Sequence, residues 1–245
     1  MLDTPPHQAS QTKLIAPLWH TLLVIAAVLT VSTLGLRMKT HTAALTTHHV
    51  REYLFTLGYE WVLASAVLWG LWLRGTDWRT LLGDWQQTAK AWREDFLIAI
   101  LFWVAAAFVL AAVGALLRLT HLSLPERTVS ALAPRDAAEL ILFLGLSLSA
   151  GFCEELLFRG YFHQQFAHLA KGRVWAGIAV SAVLFGMAHL YEGAAGVISI
   201  AIFGLMFSLL ALKRRSLRPG MIAHAWHDSF SGLILFLLQR AHVLS

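Results

Sequence analysis

Seven stretches of about twenty apolar residues, separated by short polar or basic connections, constrain this chain more than any other feature. They run from about Ile15 to Leu36, Tyr53 to Leu73, Phe96 to Leu117, Ala137 to Phe158, Val174 to Leu190, Ala194 to Leu212 and Pro219 to Leu238. A helix rises about 1.5 Å per residue, so about 20 residues cross the hydrocarbon core of a bilayer. Lipid offers no partners to backbone N–H and C=O groups, so only helices or a closed barrel can span it. A barrel would show alternating strands of about ten residues, half the length of these runs. The expected fold is therefore all-α, a polytopic membrane bundle of about seven to eight transmembrane helices. Composition agrees: 58% of residues are hydrophobic and 13% charged, against about 45–50% and 25% in soluble domains.

The net charge of +5 is carried by residues between the apolar runs. There Lys and Arg set topology and touch anionic headgroups, so the basic balance points to a lipid bilayer partner and to no nucleic acid. Twelve of these residues fall on the side of the N-terminus, among them Arg74, Arg79, Lys171, Lys213 and Arg218, and seven on the other. The imbalance predicts a multi-pass protein of the cell membrane with its N-terminus in the cytoplasm. It sets Glu154 and His224 near the cytoplasmic face; His189, late in a helix leaving that face, fits less well. With no linker or repeat, one membrane domain over 1–245 is expected: a polar tail, 1–13; N-terminal spans and an interfacial helix, 14–133; and a catalytic core, 134–240. The tail is followed by no small-residue cleavage site, so the first run reads as a retained span.

Several polar residues read as structural. Cys153, the one cysteine, permits no intrachain disulfide and is assigned to packing. His20 reads as interfacial. His41, His48 and His49 lie on a Thr-rich connection without metal-ligand spacing and read as solvated. Glu60 either snorkels, lines the bundle or marks a helix start. Trp78, Leu81, Leu82, Trp85, Ala89 and Trp92 recur at helical spacing, predicting an amphipathic helix in the membrane interface. Gly145, Ser149 and Cys153 form a small-residue stripe that predicts close helix approach. Asp136 is placed in the first turn of the fourth helix, where its charge suits the helix dipole.

The chemistry concentrates in three places. Glu155 and Arg159 stand at i, i+4 in the favourable order for an ion pair. Glu154, rotated about 100° from Glu155, is free to face a different cavity. Phe185 and His189 share one spacing, and His224 and Asp228 another, with His227 one turn from His224. Intramembrane ionisable groups are functional candidates by default. Peptide hydrolysis needs a base for water, a group to orient that water, and donors for the oxyanion. Glu154 suits the base, His189 the water partner, and His224 with Asp228 the oxyanion side. No Gly-x-Ser-x-Gly elbow appears, and neither Ser147 nor Ser149 has an adjacent base in sequence. His-Glu-x-x-His is absent, but Glu154, His189 and His224 could alternatively bind Zn²⁺.

Glu154-Glu155-x-x-x-Arg159, Phe185-x-x-x-His189 and His224-x-x-x-Asp228, in that order on successive apolar helices, resemble the three motifs of the CAAX-protease and bacteriocin-processing (CPBP, or Abi) family. Pro219, shortly before His224, suits that pattern. The resemblance covers about Pro134 to Phe236. It implies an intramembrane glutamic endopeptidase related to type II CAAX prenyl proteases, acting on a membrane-associated or prenylated, CAAX-like protein or peptide. Glu154 and His189 would activate water, His224 and Asp228 would line the oxyanion side, and Glu155 and Arg159 would support them. No cofactor is expected; the alternative is a zinc-dependent protease at the same site. A third reading is non-enzymatic, a bacteriocin self-immunity or membrane scaffold protein. The third motif of the family often ends in Asn, and this chain has Asp228. An ionised carboxylate would repel an oxyanion, so Asp228 is expected to carry a proton or to orient His224.

Overall fold

The computed structural model describes residues 13–42, 49–86, 88–122 and 133–241. The helices are α1 (Leu18–Thr42), α2 (Val50–Trp72), the short α3 (Arg79–Leu82), α4 (Ala89–Leu119), α5 (Ala137–Glu154), α6 (His163–Leu169), α7 (Val174–Met187), α8 (Gly193–Arg214) and α9 (Arg218–Arg240). A π-helical segment, Glu155–Phe162, joins α5 to α6, and a 3₁₀ turn, Leu190–Glu192, precedes α8. Among the described residues there is no strand, only an isolated bridge between Gly83 and Ser216. The fold is an all-α polytopic membrane bundle.

Among the described residues, six helical stretches are long and apolar enough to cross a bilayer, and Val174–Met187 is a shorter apolar helix. The seven apolar runs thus become seven apolar helices of unequal length. Large apolar side chains face outward: Phe108 is 74% and Leu101 69% exposed on α4. A contiguous apolar exterior of this kind marks a lipid-facing surface. The interior cluster joins Val24 and Val28 of α1, Leu63 and Val67 of α2, and Leu156, Tyr161 and Phe162 of the π segment.

Several local expectations are corrected. The amphipathic stretch is not one interfacial helix. It breaks at Gly83 (φ 70°), where a Cβ would strike the Arg215 carbonyl. Leu217 N–H donates to Leu82 O (3.1 Å) and Asp84 N–H to Arg215 O (2.6 Å), so this segment is pinned to the α8–α9 turn. Thr88 then caps α4, accepting from Ala91 N (3.2 Å), and Trp92 lies in the first turn of that long helix. His20, in the first turn of α1, is 1% exposed; its ring bonds the Tyr161 hydroxyl (3.0 Å) and the Ala66 carbonyl (2.8 Å), tying α1 to α2 and the π segment. His49 is not solvated but 2% exposed, with its N–H donating to Glu139 Oε1 (2.7 Å). The side chain of His41, and all of His48, lie outside the described residues. Asp136 stands one position earlier than expected, as the N-cap of α5 accepting from Glu139 N (2.9 Å).

Gly145 meets nothing within 4 Å, whereas a Cβ on Gly151 would come within 2.8 Å of Ala225 Cβ and Met221 O. Gly151 is therefore the residue that lets α5 and α9 approach. At the α9 N-terminus, Asp95 is 2% exposed between two guanidiniums: Arg214 Nη2 at 2.9 Å and Arg218 Nε at 2.6 Å. Arg218 also donates to the Gln86 carbonyl and lies 4.5 Å from the Trp92 ring centroid and 5.4 Å from that of Trp85. This charged clasp fixes the start of α9 against α4.

Candidate active site

Glu154 ends α5 and Glu155 begins the π segment. A π turn carries an extra residue and re-aims the side chains on it. The two neighbouring carboxylates take different environments. Glu155 is fully buried, while the Glu154 side chain keeps 22% of its surface.

Glu155 Oε1 lies 3.0 Å from Arg159 Nη1 and accepts from His224 Nδ1 at 3.1 Å. Gly220 makes room for it, since a Cβ there would sit 3.0 Å from Glu155 Oε2. Arg159 is caged by aromatic faces, with the Phe185 centroid at 4.0 Å and that of Phe207 at 5.0 Å. Cation–π attraction offsets part of the cost of burying the guanidinium. Gly204 on α8 admits this cage, because its Cβ would fall 2.8 Å from Phe185 and 3.3 Å from Arg159 Nη2.

His224 is 4% exposed and stacks on Phe207, with centroids 5.2 Å apart. Glu155 holds its Nδ1, so Nε2 points to the open side. There it meets Glu154 Oε2 at 3.7 Å and Asp228 Oδ2 at 3.6 Å. Thus α5 and α9 bring Glu154, His224 and Asp228 around one ring nitrogen. His227 turns away to Phe203, centroids 4.9 Å apart.

His189 lies just after α7. Its Nδ1–H donates to the Phe185 carbonyl (2.9 Å), leaving Nε2 with the lone pair in the neutral ring. Both imidazoles flank the Phe185 ring, His189 at 5.2 Å and His224 at 6.0 Å between centroids. Among the described residues no hydrogen bond joins His189 to Glu154. A residue without any sequence signal holds its backbone: Ser32 of α1, 3% exposed, donates to Met187 O (2.9 Å) and accepts from Leu190 N (3.0 Å). The two bonds bracket His189.

Glu60 stands on the neighbouring helix. It is 5% exposed on α2 and accepts from Ser149 Oγ of α5 (2.8 Å). An ionisable residue inside a span was its sequence signal. Among the described residues no group of three or more His, Cys, Asp or Glu side chains is arranged to hold a metal ion.

Residues 136–230 match the family model of the type II CAAX prenyl endopeptidase Rce1-like proteins. This segment is similar to that family. The matched segment takes in α5, the π segment and α6 to α8, with most of α9, and so carries Glu154, Glu155, Arg159, His189, His224 and Asp228. Ser32 and Glu60 come from helices before it. No curated protein and no solved structure matches the chain.

Proposed function

We propose that this chain is an intramembrane endopeptidase that hydrolyses a peptide bond of a membrane-associated or prenylated, CAAX-like substrate, using water activated by Glu154 and His189. The observation that carries the reading is the contrast between adjacent carboxylates. Glu155 is buried and neutralised by Arg159, whereas Glu154 is part-exposed and faces His224 Nε2 at 3.7 Å. The Rce1-like match supports a protease with a membrane-borne substrate.

Glu154 takes a proton from water, with His189 Nε2 as a second acceptor, and the hydroxide attacks the substrate carbonyl. The oxyanion forms on the His224 side. For His224 to donate there through Nε2 while Nδ1 donates to Glu155, the ring must be an imidazolium, and Glu154, Glu155 and Asp228 are its counter-charges. Asp228 acts by orienting that ring. Glu154 then passes its proton to the leaving amine, and the C–N bond breaks. We place the site toward the cytoplasmic face, on the basic-residue asymmetry.

The test compares peptides released from membranes holding wild type or Glu154→Gln. Glu154→Gln keeps the side-chain shape and loses the base, so its membranes should lack at least one peptide that wild type releases. Equal peptide sets from a folded variant would overturn the reading. Activity lost to a chelator and restored by Zn²⁺ would replace it with metal-assisted hydrolysis at the same residues. A cellular effect that survives Glu154→Gln would point to a non-enzymatic role.

A further inference from the structure

His189 stands just past the end of α7, with its backbone outside helical values (φ −111°, ψ 29°). A side chain there lacks the packing that successive turns of a helix supply, so other contacts must hold the ring. One edge is fixed by the Nδ1 bond to the Phe185 carbonyl. Two aromatic rings also pack on the imidazole. Phe185 has its centroid 5.2 Å away with planes 68° apart, and Tyr191 has its centroid 5.7 Å away with planes 42° apart. Phe185 belongs to a motif visible in the sequence. Tyr191 does not; it comes from the 3₁₀ turn, Leu190–Glu192.

That turn is seated on α1. The Ser32 hydroxyl holds Met187 O and Leu190 N. One helical turn further along α1, Gly35 lies against the tyrosine: a Cβ there would already touch it, 3.7 Å from Tyr191 Cβ and 3.9 Å from Cδ1. On the other side Gly193, at φ 81°, closes the turn in a conformation that a side chain would resist. The turn is fixed at both ends, and the direction of the Tyr191 ring with it. A Tyr near the end of an apolar helix commonly anchors the chain at the headgroups. This one is half-buried and packed between α1 and His189, so anchoring alone does not account for where its ring lies. Flat rings hold each other in tilted and edge-on arrangements that an aliphatic side chain does not reproduce.

We propose that Tyr191 is a positioning residue for the hydrolysis. Its ring, seated on α1, keeps the His189 imidazole turned so that Nε2 faces the water shared with Glu154. The proposal rests on the protease reading above. It also gives α1, which precedes the matched segment, a share in holding the site.

The experiment uses the full chain in nanodiscs and, as probe, a peptide whose release depends on Glu154. Tyr191→Leu removes the flat ring and keeps an apolar side chain. The expected result is a kcat lower by about tenfold, with KM changed by less than about threefold, the pattern of a catalytic group out of line while substrate binding is intact. Tyr191→Phe restores the ring and should recover most of the lost turnover. Wild-type kcat in Tyr191→Leu would overturn the proposal. So would a Tyr191→Phe variant as slow as Tyr191→Leu, because the hydroxyl and not the ring would then be what matters. Should Tyr191→Leu fail to fold, Tyr191→Met takes its place, filling the volume with a flexible chain: a severalfold fall in kcat at unchanged KM supports the proposal, and unchanged kcat sinks it. Glu154→Gln runs in parallel. Inactive Glu154→Gln beside fully active Tyr191→Leu defeats this inference alone, while active Glu154→Gln defeats the protease reading.

Discussion

Arg159 and Glu155 form the most deeply buried ion pair of the site, both side chains being fully covered. Removing one partner of such a pair leaves an uncompensated charge and costs about 3–5 kcal/mol. Arg159→Met is therefore expected to lower thermal stability sharply, read by unfolding in detergent, and to abolish cleavage because Glu155 no longer has a fixed place from which to hold His224. Arg159→Lys keeps the charge but loses the flat stacking on Phe185 and Phe207, so it should fall between the two. Ser32→Ala tests the other end of the site. It deletes two hydrogen bonds around His189, each worth about 1 kcal/mol net. We expect a modest loss of stability with a larger proportional loss of turnover, measured on the same preparation.

At the scale of elements, the π segment and the α5–α9 contact decide where the carboxylates point. Gly151 allows that contact, since a Cβ there would fall 2.8 Å from Ala225 Cβ and Met221 O, too close to be accommodated without a shift. Gly151→Leu forces the helices apart at an overpacking cost of about 1–3 kcal/mol. It should widen the 3.7 Å separation of Glu154 and His224 and remove activity while the protein still folds; retained activity would show that the separation is not critical. The clasp at Asp95 is a second test. Asp95→Asn leaves Arg214 and Arg218 without their carboxylate, and a destabilisation of about 3 kcal/mol or more is expected in a thermal scan.

The whole molecule is built with its apolar surface outward, and the orientation proposed for it rests on loop charge. Helix α4, 31 residues long, spans about 46 Å at 1.5 Å per residue, so the connections at its two ends lie on opposite faces. With the buried Cys153 replaced by Ala, a cysteine placed at the exposed Asp77 should be labelled from the cytoplasmic side and one at Thr120 from the other. The reverse pattern would invert the proposed topology and move the site to the far face.

Chain order and hydropathy alone determined that this is an all-α membrane bundle, because lipid leaves the backbone no other way to satisfy its polar groups. Spacing also marked Glu154, Glu155, Arg159, His189, His224 and Asp228 as candidates, since charges at such positions are too costly to be incidental. Distances between separate helices are not written in local spacing, so tertiary packing decided the rest. It put Glu155, rather than Asp228, on His224 Nδ1, brought Glu60 onto Ser149 and Ser32 onto the backbone flanking His189 from earlier helices, buried His20 and His49, and broke the amphipathic stretch at Gly83. Each of these outcomes depends on what a side chain or a missing Cβ meets across a helix interface, and no periodicity within one helix records that.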